Sequence, residues 1–561
     1  MKSAKVWGRF IAAIAVFSCL SNAVYAAKPS VRLQVLGTHA TGFYNQGAAE
    51  IVAHDPVAQR LFVVNAATSS IDILDVSNPS SPELFDTIDL TPWGDQANSV
   101  DVHNGIVAAA VQAEVKTDNG RVVFFDADGN YLNDVPAGAL PDMLTFTPNG
   151  QKVLVANEGE PNSYDQLPGS PSFPSVDPEG SVTIVDLSNG VLNAAATQVG
   201  FTAFNSGTLD SSVRIYGPNA SRAQDFEPEY IAVDHNSKTA WVTLQENNAI
   251  AILDIKSATI TEIVGLGFKN HNLESNKFDA SDRDVPGSNN NGIVNIRKWP
   301  VFGMYEPDAI STFKYKSETF LITANEGDTR QDWPGFAEEI RVGSLALNQP
   351  SFADQGYPDT GTGANGLRNN DNLGRLTVSI ANGNLNGGSD YEELYLPGAR
   401  SFSIWNDKGE LIFDSGDDIE QITAEDFPSN FNANHSCDPC LPIIGGASGN
   451  EIDNRSDNKG PEPESVTVGK AYGRTYAFIG LERISGVMVY DVSDPYEPIF
   501  VQYINNRNFL AVTNTAAAGD LGPEGIHFIS AEDSPTGVPL IAVANEISGT
   551  TSVYELVQTN N

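Results

Sequence analysis

Cysteine is nearly absent from this 561-residue chain: only Cys19, Cys437 and Cys440 occur. Three thiols exclude a disulfide-built scaffold, so a chain of this size must rest on an apolar core. Histidine is scarce too, with seven residues, which argues against a zinc or copper centre built from imidazoles. Basic residues number 32 against 71 acidic ones, a formal charge of −39. That deficit excludes nucleic acid as a partner, because phosphates would be repelled by most of the surface, and it disfavours anionic lipid for the same reason. No apolar run reaches the ~20 residues that a membrane span needs. Neither a Gly-x-Ser-x-Gly elbow nor a Gly-x-x-x-x-Gly-Lys-Ser/Thr loop occurs, so the two commonest sequence signs of hydrolase and nucleotide chemistry are missing.

What is present is 41 % hydrophobic residues, too many for a disordered polyanion. The acidic surface suits divalent cations and life outside the cell. Lys2, Lys5 and Arg9, the apolar stretch from Phe10 to Leu20 and the small residues around Val24-Tyr25-Ala26 read as a secretory signal over residues 1–26. A buried N-terminal helix is the alternative. The mature chain, 27–561, is expected to be periplasmic or extracellular and monomeric. Cys437 and Cys440 then form a local disulfide in a loop spanning about 417–460; a redox-active Cys-x-x-Cys would need an adjoining helix that the residues around Pro442 do not suggest.

Short runs of Val, Ile, Phe and Thr recur between Gly, Asn, Asp and Pro, the signal of strands. They recur as a unit. The first runs from Ala49-Glu50-Ile51-Val52 through Arg60 to Asn65 and Ser70 to Val76, then Leu84 to Leu90. Six more begin at Asn98-Ser99-Val100, Pro141-Asp142-Met143, Glu227-Pro228-Glu229, Glu306-Pro307-Asp308, Glu462-Pro463-Glu464 and Pro523-Glu524-Gly525. Strand, strand, strand ending in Asp, strand is the pattern of a propeller blade. The expectation is an all-β, seven-bladed β-propeller in a single domain, with Val31 to Leu36 supplying the strand that the last unit lacks and so closing the ring. Separate β domains are the alternative. A blade needs about 40–45 residues, so the 156 residues from Asp308 to Glu464 imply long loop insertions. The largest is placed at about 329–399, with an extra hairpin pairing Arg375 to Ile380 with Tyr391 to Leu396.

In a blade, the start of the first strand and the end of the second meet at one face. The first-strand starts carry Glu50, Asp142, Glu227, Glu229, Asp308, Glu462, Glu464 and Glu524; the second-strand ends carry Glu158, Glu160, Glu246, Glu326, Asp328, Glu482 and Glu546. Crowded carboxylates need compensating cations or protons, and hard oxygen ligands suit Ca²⁺ first, then other divalent metals. The expected metal ligands are Glu158, Glu229, Asp308, Glu326, Glu464, Glu482, Glu524 and Glu546. The alternative is that such acids hold turns by accepting backbone N–H bonds. Arg330, Arg483 and Lys459 lie among them and are the candidate catalytic cations, suited to an oxyanion such as a phosphate ester; the alternative is ion pairing with their neighbours. The polar loop Asp453-Asn454-Arg455-Ser456-Asp457-Asn458-Lys459 is a weaker calcium candidate, without the Gly and Glu of an EF-hand.

Asn157-Glu158-Gly159-Glu160-Pro161, Glu227-Pro228-Glu229-Tyr230-Ile231, Ala324-Asn325-Glu326-Gly327-Asp328-Thr329-Arg330, Arg400-Ser401-Phe402-Ser403-Ile404-Trp405 and Gly460-Pro461-Glu462-Pro463-Glu464-Ser465 resemble the choice-of-anchor I family of secreted bacterial proteins. The resemblance runs from about residue 32 to 556. That family is similar to animal mesenchyme-specific cell-surface glycoproteins, and the resemblance implies a propeller. Its members often end in a sorting anchor; this chain ends at Asn561, just after its last strand, so free release is expected. The acidic mouth also resembles that of PhoX-type alkaline phosphatases, whose carboxylates hold calcium and iron. Glu229, Asp308, Glu464 and Glu524 occupy comparable places; iron there also uses a cysteine ligand, whereas the only mature cysteines here lie in a loop and are expected to be paired, which argues against an iron centre. The resemblance implies a metal-dependent phosphoesterase acting on a small phosphate ester; the alternative is a calcium-stabilised, non-enzymatic propeller that binds an extracellular polymer.

Overall fold

A computed structural model of the chain describes residues 31–164, 175–284, 292–331, 334–435 and 452–559. The signal region and the Cys437–Cys440 pair lie outside the described residues. The fold is all-β. Among the described residues it contains seven four-stranded antiparallel sheets, together with one three-stranded and one two-stranded sheet. The seven first strands are Val52–Asp55, Ala97–His103, Pro141–Phe146, Pro228–Val233, Ile310–Tyr315, Pro463–Ala471 and Pro523–Ile529. We number the sheets 1 to 7 in that order.

Sheet 7 joins the two ends of the chain. Its strands Leu540–Asn545 and Thr550–Gln558 continue into Val31–Ala40, which pairs antiparallel with Thr550–Gln558 from Val31 opposite Gln558 to Ala40 opposite Thr550. The N-terminal segment thus supplies the fourth strand, as the repeat predicts.

The second and third strands are mostly buried and rich in apolar residues because both of their faces are covered by neighbouring sheets. Arg60–Asn65 and Lys152–Asn157, for example, bury every residue after the first. The fourth strands are open; Glu83–Asp89 buries one residue of seven. The Asp that closes the third strand in sheets 1, 2, 3, 4 and 6 has a local cause. Asp75, Asp126, Asp186 and Asp491 accept the backbone N–H two residues on, and Asp254 the one three residues on, at 2.7–3.0 Å, which holds the turn into the fourth strand. Apolar clusters fill the space between successive sheets, and Val52, Leu61, Leu540 and Ala542 do the same between sheets 1 and 7. A cavity of about 310 Å³ is lined by the first strand of every one of the seven sheets.

The insertions build structure of their own. Phe278, Trp299, Val342, Phe352, Leu373, Val378 and Leu396 belong to a separate apolar cluster. The expected hairpin does not form. Thr377–Ser379 pairs with Glu339–Arg341, while Tyr395–Leu396 lies parallel to Phe302–Met304. Both segments have the composition of strands, but their partners come from distant parts of the insertions, where this second core gathers them. A helix, Asp418–Asp426, also stands where the sequence suggests only loop; it buries Ile419, Glu420 and Thr423.

Candidate metal centre

The acidic mouth grows out of one repeated joint. Pro141 pairs with Asn157, Pro228 with Leu244, Pro463 with Leu481 and Pro523 with Asn545. The start of each first strand therefore meets the end of its second strand. In each case the register slips just after the proline, over the acid Asp142, Glu229, Glu464 or Glu524. Proline is tolerated there because it opens the strand, and an irregular pairing re-aims the side chain that it carries. The residues before four of the prolines have positive φ: Leu140, Glu306, Glu462 and Gly522 at 49°, 38°, 50° and 68°. For the two glutamates this conformation is uncommon and strained.

The Glu-Pro-acid motif divides labour between its two acids. The glutamate before the proline is buried and held by cations. Glu227 accepts Arg330 Nε and Nη2 at 3.1 and 2.9 Å. Glu306 pairs with Arg214. Glu462 accepts Arg455 Nε and Arg483 Nε at 2.9 Å each and lies 3.2 Å from Lys459 Nζ. Burial opposes ionisation of Glu462, yet Arg455, Arg483 and Lys459 outweigh it and hold the carboxyl well below its ordinary range.

The acid after the proline has no such support. Among the described residues, the side chains of Asp142, Glu229, Asp308, Glu464 and Glu524 make no hydrogen bond or ion pair, and Glu464 Oε2 is buried without a partner. The same holds for Glu50, Glu158 and Glu546. Burial pushes all eight carboxyls up, Asp142 to about 7 and Glu50 and Glu546 to about 8. Mutual repulsion adds to this and shows which acids converge. Glu229 feels Glu246, Glu158, Asp308 and Asp142; Glu464 feels Glu326, Glu482, Glu524 and Asp308; Glu524 feels Glu546, Glu50, Asp308 and Glu482. These acids come from sheets 1, 3, 4, 5, 6 and 7. Glu50, Asp142, Glu229, Asp308, Glu464 and Glu524 stand one or two residues before the strand residues that line the cavity, and the acids at the second-strand ends meet them there, so together they form a collar at one end of it.

Two tighter groups stand out. Glu326, Glu462 and Glu482 can bring one carboxylate oxygen each within 4.8 Å of one another, and so can His435, Glu482 and Glu546. His435 Nε2 lies 2.9 Å from Glu482 Oε1. Glu462 and His435 are not among the ligands expected from sequence. The signal for Glu462 is its place in the same motif; His435 reaches the mouth from a long loop, which no spacing reveals.

The three candidate cations differ in access. Arg330 is fully buried, bound to Asp225 and Glu227 and packed 4.5 Å from the Tyr216 ring, which Arg214 also contacts at 4.2 Å. It holds Glu227 rather than facing the mouth. Arg483 and Lys459 keep side-chain exposures of 21 % and 12 %. Arg483 Nη1 sits 2.8 Å from Glu482, and Lys459 binds Glu326 and, at 2.6 Å, the Gly327 carbonyl.

The chain is 30 % identical over 191 residues to Gigasin-3a of Magallana gigas, covering 33 % of this chain and 64 % of that protein. It is 26 % identical over 308 residues to the mesenchyme-specific cell surface glycoprotein of Strongylocentrotus purpuratus, covering 50 % of this chain and 37 % of that protein. In both cases the match spans less than two thirds of the relative. Among solved structures, Kuenenia stuttgartiensis hydrazine synthase superposes with a TM-score of 0.42 at 11 % identity, over 92 % of this chain and 96 % of that one. The Swd1 β-propeller domain of Myceliophteria thermophila gives 0.41 at 10 %, over 94 % and 100 %. The choice-of-anchor I domain model matches residues 50–495, from the first mouth acid to the turn after sheet 6's third strand, and the chain belongs to that family.

Proposed function

We propose that this is an extracellular, single-domain, seven-bladed propeller whose carboxylate collar holds divalent cations, calcium foremost, and serves a metal-dependent phosphoesterase. Four-stranded sheets that share one cavity, and a strand that joins the chain ends, support the ring. The family and the cell-surface relative support the location. No helix among the described residues is long and apolar enough to cross a membrane.

One observation carries the metal assignment. Eight converging acids have no donor of their own, although buried carboxylates are ordinarily hydrogen-bonded or paired. The donor set is oxygen-rich, as calcium requires. Glu158, Glu229, Asp308, Glu464, Glu524 and Glu546 would hold the ions, with Glu326 and Glu482 at the edge shared with His435. A bound divalent ion supplies Lewis-acid activation and charge neutralisation for an oxyanion. The chain's own residues orient the ester: Arg483 and Lys459 stand at the rim of the collar, and Glu462 fixes both. Arg330 acts behind them as a positioning residue.

The full-length protein, stripped by chelation and reloaded with Ca²⁺, should hydrolyse an aryl phosphate or diester at neutral to alkaline pH. Glu229→Gln and Glu464→Gln should abolish turnover. A loaded protein that is inert on both substrates overturns the esterase. A specific observation favours a second reading, a calcium-stabilised binding propeller: all three candidate cations are already engaged by carboxylates. Under it, calcium raises the unfolding temperature and no ester turns over.

A further inference from the structure

A second group of acids lies away from the mouth, where the insertions meet sheet 5. It is built around the short segment that begins at Gly292. A side-chain carbon at Gly292 would stand 1.8 Å from Asp453 Oδ2, so this carboxylate packs directly on the backbone there. Ile293 N–H donates to Asp284 Oδ1 at 3.0 Å, and Asn295 N–H donates to Asp279 Oδ2. Three aspartates from two loops thus converge on four consecutive residues, a stretch of roughly 10 Å at full extension. Behind them, Glu420 Oε2 accepts the Asp279 N–H at 2.7 Å, and Glu420 Oε1 is paired with Arg400.

Charge and burial do not balance in this group. Asp453 is 0 % exposed, Asp279 1 % and Asp284 6 %, and Asp453 Oδ2, Asp284 Oδ2 and Asn432 Oδ1 are buried with no hydrogen-bond partner. Arg400 is committed to Glu420, the Asp279 carbonyl and the carbonyls of Ser456 and Asn458. Arg297, the other nearby cation, bonds Asn372 and stacks 3.9 Å from Trp299. Asp453 itself is held at φ 71°. Orphaned oxygens of this kind, on buried acids gathered on one short segment, call for a cation.

We propose that Asp279, Asp284 and Asp453 form a second divalent-cation site, suited to calcium, that clamps the insertions to the loop following the Asp418–Asp426 helix. The ligands are oxygens only and come from flexible loops, which favours calcium over the stricter octahedron of magnesium.

The test uses the full-length protein, stripped and then equilibrated with Ca²⁺, with bound metal counted in wild type, Asp453→Asn and Glu229→Gln. The expected result is one calcium fewer in Asp453→Asn than in wild type. A full complement in Asp453→Asn overturns the second site, and if Glu229→Gln then loses calcium the mouth assignment stands alone. A full complement in Glu229→Gln beside a loss in Asp453→Asn does the reverse. Should Asp453→Asn fail to fold, hydrogen exchange of the wild type decides: calcium should slow the amides of Ile293, Asn295 and the 453–456 turn, and unchanged exchange there overturns the proposal.

Discussion

At the residue scale, the Glu-Pro-acid motif places two carboxyls two residues apart in opposite electrostatic settings. Glu462 is held ionised by three cations, while Glu464, two residues on, is pushed up by burial and by four other acids. The unpaired member is predicted to be a liability without metal. In chelator, Glu229→Gln should raise unfolding stability by roughly 1–2 kcal/mol by removing a buried carboxyl that must either take up a proton or ionise among its neighbours. In calcium the same variant should lose most of the metal-induced stabilisation; paired thermal melts check both. The paired member should behave oppositely. Arg330→Met leaves Asp225 and Glu227 buried without their cation, and urea unfolding should show a loss of about 3–5 kcal/mol whether or not calcium is present. Adding Glu227→Gln to Arg330→Met should recover part of that loss.

At the element scale, the close approaches between sheets are made by small residues. A side-chain carbon on Gly525, in the first strand of sheet 7, would lie 2.4 Å from the Glu50 carbonyl of sheet 1. Gly525→Val is therefore expected to cost about 1–3 kcal/mol by overpacking and to disturb the collar at Glu50 and Glu524, visible as weaker calcium binding in calorimetry. The strands themselves are legible in the sequence, since β-branched and aromatic runs ending in a turn-forming Asp state both the extent of a strand and its end. The acids of the mouth are legible as well, because the repeat fixes where each one stands. The partners of the inner glutamates are not. Arg214 and Arg455 come from insertions with no repeat, and only the folded chain brings Arg214 to Glu306 and Glu338. Thr377–Ser379 and Tyr395–Leu396 read correctly as extended but not as to whom they pair with, since their register is set by the insertion's own core. The Asp418–Asp426 helix is hidden for a related reason: its three buried residues cover neighbouring structure without making a long apolar stripe.

At the scale of the whole molecule, the collar makes stability depend on pH and metal together. Carboxyls such as Glu50 and Glu546 rise from an ordinary 4.5 to about 8 on folding. The metal-free folded state then binds more protons than the unfolded chain, so its stability is greatest below the ordinary carboxylate range and falls as pH rises toward about 8. Calcium reverses the slope by replacing those protons. Melts across this window should fall with pH in chelator and hold or climb in calcium, and calcium binding should release protons, most clearly around neutral pH. A ligand at a hundredfold excess over its dissociation constant adds about 2.7 kcal/mol per site, enough to see in either experiment.

The pairing of Val31–Ala40 with Thr550–Gln558 has a mechanical consequence. Val31 lies opposite Gln558, so the two ends of the described chain leave the molecule from the same end of one antiparallel ladder. A force applied between those ends would peel the ladder apart rung by rung rather than shear all its hydrogen bonds at once. Such unzipping needs little force compared with shear, and once the strand has peeled away, sheet 7 has lost its outer strand and the join between the chain's two ends is gone. A molecule of this build would hold its shape against heat far better than against tension across its termini, a contrast that optical-trap extension set beside calorimetry can measure.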